Sequence, residues 1–356
     1  MSSMFGQNVK ISLFGESHSS CVGLTIDSLP AGIDIDKEYL ERELKLRKKE
    51  NEFSTSRSEK DEIIFLSGVF NDKTTGGPLT FILKNSDQHS CDYVQGIIRP
   101  SHADLTSYIK YNGFNDYRGG GMFSGRLTAP LIVLGALIKQ ILKEKNIKVY
   151  SHVASIGDIE DQKFNINVLE EQLKNIEKSS LSVIDYQQEL KMLDLLKFCK
   201  DHKDSIGGKI ETIILNLPIG VGEPFFDGLE SYISHLIFSI GGVKGIIFGN
   251  EDVDKMLASE YNDQIVYNNN QYQFLSNNNG GINGGISNGN PVVFSTFIKP
   301  TPSIGKKQKS INVLTKENIY LELQGRFDVC IVHRVKEVIQ ALTYYAIYDL
   351  LLFQRD

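Results

Sequence analysis

Four stretches of this chain carry helical periodicity, and the short β-type runs between them do not alternate with them one for one. That order is the strongest constraint on the fold. A doubly wound sheet needs a helix after nearly every strand, so the pattern points to an α+β architecture instead. The first helical stretch follows Asp36, whose carboxylate can cap it, and Tyr39, Leu40, Leu44 and Leu46 form its apolar side up to Lys49. The second runs from Ser124 to Asn146, with Leu127, Leu131, Leu134 and Ile138 at helical spacing. Pro130 falls early within it, where a missing N–H costs least. Asp185 to His202 and His333 to Gln354 are the third and fourth.

Strands are expected at Val9–Leu13, Glu62–Phe70, Leu79–Leu83, Lys209–Leu217 and Pro291–Ile298, each bounded by turn residues. No fixed-period repeat and no linker interrupts the chain, so it reads as one domain over 1–356. Asparagine clusters at 268–270 and 277–279 mark a polar loop around 262–280.

With 41% hydrophobic residues and a formal charge of −6, the composition is that of an ordinary soluble globular protein. The charge argues against a general nucleic-acid or membrane-surface binder, so any cationic site must be a local concentration of arginine. Cys21, Cys91, Cys199 and Cys330 form neither a CxxC pair nor a zinc spacing, and no metal site is expected. Met1 to Lys10 lacks an apolar signal core, and Ala129–Ile138 is about half the length needed to cross a bilayer. A soluble cytoplasmic protein is the expectation.

The chemistry concentrates in glycine-rich turns. Gly15-Glu16-Ser17-His18 follows the first strand, placing His18 at a strand end. Arg99-Pro100-Ser101-His102 presents a cation and a proton donor together, with proline fixing the local backbone. Arg118-Gly119-Gly120-Gly121 leads to Ser124 and Arg126 at a positive helix end, without Walker or Rossmann spacing. The run from Gly280 to Gly289 holds glycines that suit close approach to a flat ligand, or a simple hairpin, and leads to Lys299-Pro300-Thr301-Pro302-Ser303. In Gly325-Arg326-Phe327-Asp328, a strand would put Arg326 and Asp328 on one side. Taken singly, each segment also has a structural reading as a turn histidine, a solvated loop or a salt bridge. Together, arginine forks, histidine protons and exposed backbone N–H groups suit an enzyme acting on a small polyanion.

In this order the segments resemble the chorismate synthase family. The resemblance rests on Phe14 to His18, Leu66 to Phe70, Thr74 to Pro78, Arg99 to Asp104, Tyr117 to Gly121, Gly284 to Gly289, Lys299 to Ser303 and Gly325 to Asp328. It implies a one-domain fold with helices sandwiched between antiparallel sheets, usually a homotetramer. It implies a 1,4-anti elimination of phosphate from 5-enolpyruvylshikimate-3-phosphate (EPSP) to give chorismate, the last common step of the shikimate pathway. Reduced FMN is required, with NADPH as reductant in some members.

By the same resemblance, Arg47, Arg57, Arg99, Arg126 and Arg326 match anion-binding arginines, with Ser124 at the substrate. His102 matches the histidine that protonates the departing phosphate, and His18 the one that keeps the flavin correctly protonated. Asp328 matches the carboxylate that works with flavin N5. Met122, Phe123, Ser124, Gly241, Gly242, Gly284, Lys299, Pro300, Thr301, Pro302, Ser303 and Arg326 match flavin-binding positions. The sequence departs from the family at Met122-Phe123, where Arg-Ser is usual, at Gly241-Gly242, where Asn-Ala is usual, and at Lys49-Glu50, Glu52, Ser101, Val329 and His333. A flavin binder without catalysis would not need the acid–base set, and an NADPH:flavin oxidoreductase lacks its Rossmann fingerprint here.

Overall fold

The structure, a computed structural model, describes residues 3–47, 53, 61–86, 93–268, 270–323, 325 and 327–353. Two five-stranded antiparallel sheets enclose a layer of helices. The first contains β1 (Met4–Phe5), β2 (Lys10–Gly15), β3 (Cys21–Asp27), β4 (Ile63–Ser67) and β5 (Leu79–Lys84) in the order β1-β2-β3-β5-β4. The second contains β6 (Lys148–Ile156), β7 (Ile159–Glu160), β8 (Gly208–Leu215), β9 (Val243–Phe248) and β10 (Val292–Ile298) in the order β9-β10-β8-β6-β7.

Along the chain the longer helices are α1 (Lys37–Leu46), α2 (Asp104–Lys110), α3 (Thr128–Lys143), α4 (Leu169–Lys178), α5 (Tyr186–Asp201), α6 (Leu229–Phe238) and α7 (Val332–Leu351), with one further turn of helix at Ala258–Tyr261. Between the sheets, α3 packs against β3 and β5, and α7 against β6 and β8. The two helices pack on each other, α1 flanks α3, and α6 flanks α7. The antiparallel sandwich implied by the family resemblance is therefore present, within the α+β class read from the sequence.

Burial explains why α3 and α7 look apolar on nearly every side. The run from Ala129 to Ile138 is buried throughout, as are Val338, Ile339, Leu342 and Tyr345 of α7. By composition Arg118–Lys143 resembles a membrane span, but most of its apolar window is covered by the protein. The helices approach closely at Gly135, where a Cβ would fall inside van der Waals contact of Ala341. At the far end of α7, buried Asp349 accepts backbone N–H bonds from Gln7 (2.8 Å), Asn8 (2.9 Å) and Val9 (2.6 Å) and the hydroxyl of Tyr232. The N-terminal strands are thereby tied to the central layer.

Several expected elements change shape for physical reasons. Ser124 does not start an α-helix; it caps a 3-10 turn at Gly125–Leu127, and the α-helix follows. The run Glu62–Phe70 breaks at Gly68, which has φ +80° and whose missing Cβ makes room for the backbone of Leu79. Within 262–280, expected as a loop, Ile265–Asn268 and Gln271–Phe274 pair as a hairpin. Short α2, α4 and α6 were not expected. The first N–H of α6, at Leu229, is satisfied by Gly285 O at 2.7 Å, a tertiary bond with no local sequence signal.

Candidate active site

The turn between β2 and β3 carries His18 inward, where its ring is 7% exposed. Tyr93 meets that ring edge-on, with centroids 5.3 Å apart. Gly119 passes directly over it: a Cβ there would stand 2.6 Å from His18 Cδ2 and 2.7 Å from Nε2. The three consecutive glycines have φ of 59°, 83° and 53°, a backbone path that side chains disfavour. Gly121 O fastens the turn by accepting Ser17 N–H at 3.1 Å.

Arg99 is fixed before any ligand arrives. Its Nε and Nη2 donate to the two oxygens of Asp104, both at 2.8 Å, and its guanidinium lies over the Tyr93 ring, 5.4 Å from the centroid. Burial raises the Asp104 carboxyl, but the bonds from Arg99 outweigh this and hold it below the usual carboxylate range. Ser101, at φ +59°, turns its carbonyl to accept from Lys299 Nζ at 2.8 Å.

His102 sits between two fixed partners. Its Nδ1 lies 3.1 Å from Pro100 O, which can only accept, so Nδ1 carries the hydrogen. Nε2 of the neutral ring then accepts from the Ser303 hydroxyl at 3.0 Å. Burial, followed by the neighbouring Arg99 charge, lowers the ring to about 4, so it is neutral at neutral pH.

Arg47, at the end of α1, donates to Thr128 Oγ1 at 3.0 Å and to Gly125 O at 2.7 Å. Burial, opposed by Asp61, lowers it to about 10, which leaves it charged at neutral pH. Asp328 is not on a strand, the setting in which the sequence would have put it on one side with Arg326, and Arg326 lies outside the described residues. Asp328 lies in the irregular segment before α7, and Arg334 Nη1 donates to its Oδ1 at 3.0 Å.

These elements open onto one cavity of about 1130 Å³. Arg47, Arg99, His102, Met122, Phe123, Ser124, Gly241, Gly242, Lys299, Pro300, Pro302 and Asp328 all line it. Ile240, Ile331 and Val335 add apolar wall. Its size slightly exceeds the roughly 300–1,000 Å³ of ordinary small-molecule sites, leaving room for two stacked ligands.

Other expected residues sit elsewhere. Arg126 is buried and engaged by Asn85 Oδ1 (2.9 Å), Lys84 O (3.1 Å) and Asp61, so in this conformation it braces the frame. His18 does not itself line the cavity; Glu16, Ser19 and Gly120 beside it do, and Gly119 packs against its ring. Gly284 forms the turn of the hairpin Ile282–Asn283/Ile286–Ser287 and does not line the cavity. Thr301 O accepts from Ser205 Oγ at 2.6 Å, and Ser303 reaches the site through His102. Arg57 and Arg326 lie outside the described residues.

The profile of the chorismate synthase family matches residues 9–352. The chain belongs to the chorismate synthase family. Chorismate synthase from Dehalococcoides mccartyi is 40% identical over 356 residues, covering 99% of this chain and 97% of that protein. Chorismate synthase from Methanocaldococcus jannaschii is 38% identical, covering 98% and 96%. A crystal structure of chorismate synthase superposes with a TM-score of 0.77 at 25% identity, covering 98% of this chain and 93% of that one. The protein is thus a carbon–oxygen lyase that eliminates phosphate from EPSP to form chorismate, in the shikimate route to aromatic compounds. Chorismate synthases are flavin-dependent as a family.

Sequence reasoning missed Tyr93, Asp104 as the clamp on Arg99, and Arg334. For Arg334 a signal existed. It is a cation in the first turn of a helix, where the macrodipole disfavours positive charge, so local helix stability does not account for it.

Proposed function

We propose that the cavity holds EPSP against reduced FMN and that His18, His102 and Asp328 divide the proton transfers among them. One observation carries this: Arg47, Arg99, Lys299, His102 and Asp328, scattered over 281 positions of the sequence, converge on a single cavity. EPSP has two carboxylates and a phosphate, and the permanent guanidinium charges suit those oxygens. Prebuilt cations also cost no reorganisation as negative charge develops on the leaving phosphate. The family resemblance adds Arg57 and Arg326 as anion ligands, while Arg126 acts through the frame it braces.

The residues present fit a flavin. At Gly241 a Cβ would meet nothing within 4 Å, so there is open space beside the backbone, and Ile240, Ile331 and Val335 offer an apolar face. Lys299, Pro300, Pro302, Met122, Phe123 and Ser124 would hold it, with Thr301 and Ser303 behind them. When bound, reduced FMN supplies electron density and an acceptor for the ring hydrogen. Asp328 orients and takes up the proton at that acceptor, a task suited to a carboxylate.

For the histidines, the neighbours favour exchanging the expected roles. His102 touches Ser303 and lies beside Lys299, both flavin-binding positions by resemblance, so we assign it to the proton on the flavin side. We assign His18, whose Nε2 abuts the glycine turn, to the leaving phosphate. NADPH as reductant, a homotetramer and a cytoplasmic location belong to the same proposal. The exposed Phe225 and Phe226 supply apolar surface for assembly, and the free thiols of Cys21, Cys199 and Cys330 suit a reducing compartment. Anaerobic incubation with photoreduced FMN and EPSP should release chorismate and phosphate in equal amounts. Absence of both products would overturn the reading.

A further inference from the structure

Arg334 lines the cavity on the first turn of α7, its side chain 23% exposed, and its Nη1 meets Asp328 Oδ1 at 3.0 Å. The backbone beside Asp328 is already fixed. Val329 N–H donates to Phe53 O at 3.2 Å, Val329 O accepts from Ile206 N–H at 2.9 Å, and Cys330 is fully buried. What remains adjustable is the carboxylate itself, and Arg334 is the cation bonded to it. A guanidinium at the positive end of a helix gains nothing from the dipole, so its place there calls for another partner, and Asp328 is one.

We propose that Arg334 is a positioning residue for Asp328: its guanidinium sets the orientation of the Asp328 carboxylate for proton uptake. The inference rests on the role proposed above for Asp328. Among the described residues, Arg47 at the end of α1 and Cys330, two residues on, also interact electrostatically with Asp328. Asp61 and Arg126 stand behind Arg47. Arg47 is tethered to Thr128 and Gly125, whereas Arg334 bonds the Asp328 carboxylate directly.

The experiment compares wild type with Arg334→Gln, Arg334→Lys, Asp328→Asn and the double variant Arg334→Gln/Asp328→Asn. Turnover with photoreduced FMN is followed over a range of EPSP concentrations. A misplaced carboxylate should lower kcat on the order of tenfold to a hundredfold in Arg334→Gln, with KM for EPSP little changed. Arg334→Lys keeps a charged donor and should recover part of that kcat, giving a reading even if Arg334→Gln folds poorly. Because Arg334 acts through Asp328, the double variant should be no slower than Asp328→Asn.

A rise in KM with kcat unchanged would overturn the proposal and make Arg334 a ligand of the substrate anion. Losses that multiply in the double variant would overturn it too. Wild-type protein that does not turn over EPSP would sink the functional reading, a result distinct from either of these.

Discussion

His102 Nε2 and Ser303 Oγ stand 3.0 Å apart although 201 positions separate them in the chain. Together with the Pro100 carbonyl on Nδ1, this contact fixes both ring nitrogens of His102 before ligands bind. It also joins two motifs that the sequence presents as separate.

The first prediction concerns protonation. His102 is lowered from its ordinary 6.5 to about 4 by burial and then by Arg99. Its neutral form is the one the fold accommodates, so its contribution to stability is intact above pH 6.5 and is lost as pH falls toward 4. Wild type should therefore lose stability across that window more steeply than His102→Gln, as read from denaturant midpoints. A bound polyanion counters Arg99 and Lys299 and should raise the ring, so EPSP binding near pH 6 should take up a proton. Calorimetry in two buffers of different ionisation heat measures that uptake, and zero uptake would contradict it.

The two histidines should fail in different ways. His102→Ala should alter the protonation of bound reduced flavin, visible in its absorbance across pH, and slow turnover by about a hundredfold or more. His18→Ala should leave that spectrum unchanged while slowing phosphate release by a similar factor. The reverse pattern would restore the assignment drawn from sequence resemblance.

Gly119→Ala places a Cβ at φ +59° and 2.6 Å from the His18 ring. The turn and the ring cannot both keep their positions. Turnover should drop by about tenfold or more, consistent with small displacements at reacting groups. Thermal stability should change little beside that. Full activity in this variant would show that His18 works without the turn.

Gly135→Ala overfills the contact between α3 and α7 at Ala341. A destabilisation of about 1–3 kcal/mol is expected from overpacking. Adding Ala341→Gly should recover part of the loss, although glycine inside a helix itself costs about 1 kcal/mol. Urea midpoints of the three variants would measure this, and a fully stable Gly135→Ala would refute the close approach.

The sequence reading located elements where the residues carry their own instructions. Asp185 caps α5 through its side chain and Asp36 caps α1, so both helices were legible within a few positions. Short α6 was not, because Leu229 N–H finds its partner on Gly285, 56 positions away. Gly68 was visible as glycine, but its role in ending β4 depends on Leu79 lying against it. In the site, His102, Arg99 and Asp328 were found as motifs; Arg334 and Tyr93 were not, because neither belongs to one.

The sequence alone determined the α+β class, the local concentration of arginine in an acidic chain, and the identity of the groups that can move protons. These follow from periodicity, capping chemistry and side-chain charge, all short-range properties. Tertiary structure decided which cations face the cavity, since Arg47 lines it while Arg126, of identical chemistry, is consumed by Asp61, Asn85 and Lys84. It also chose Arg334 as the Asp328 partner and left His102 neutral. Burial and the nearness of other charges set these outcomes, and both depend on residues brought together only when the two sheets close over α3 and α7.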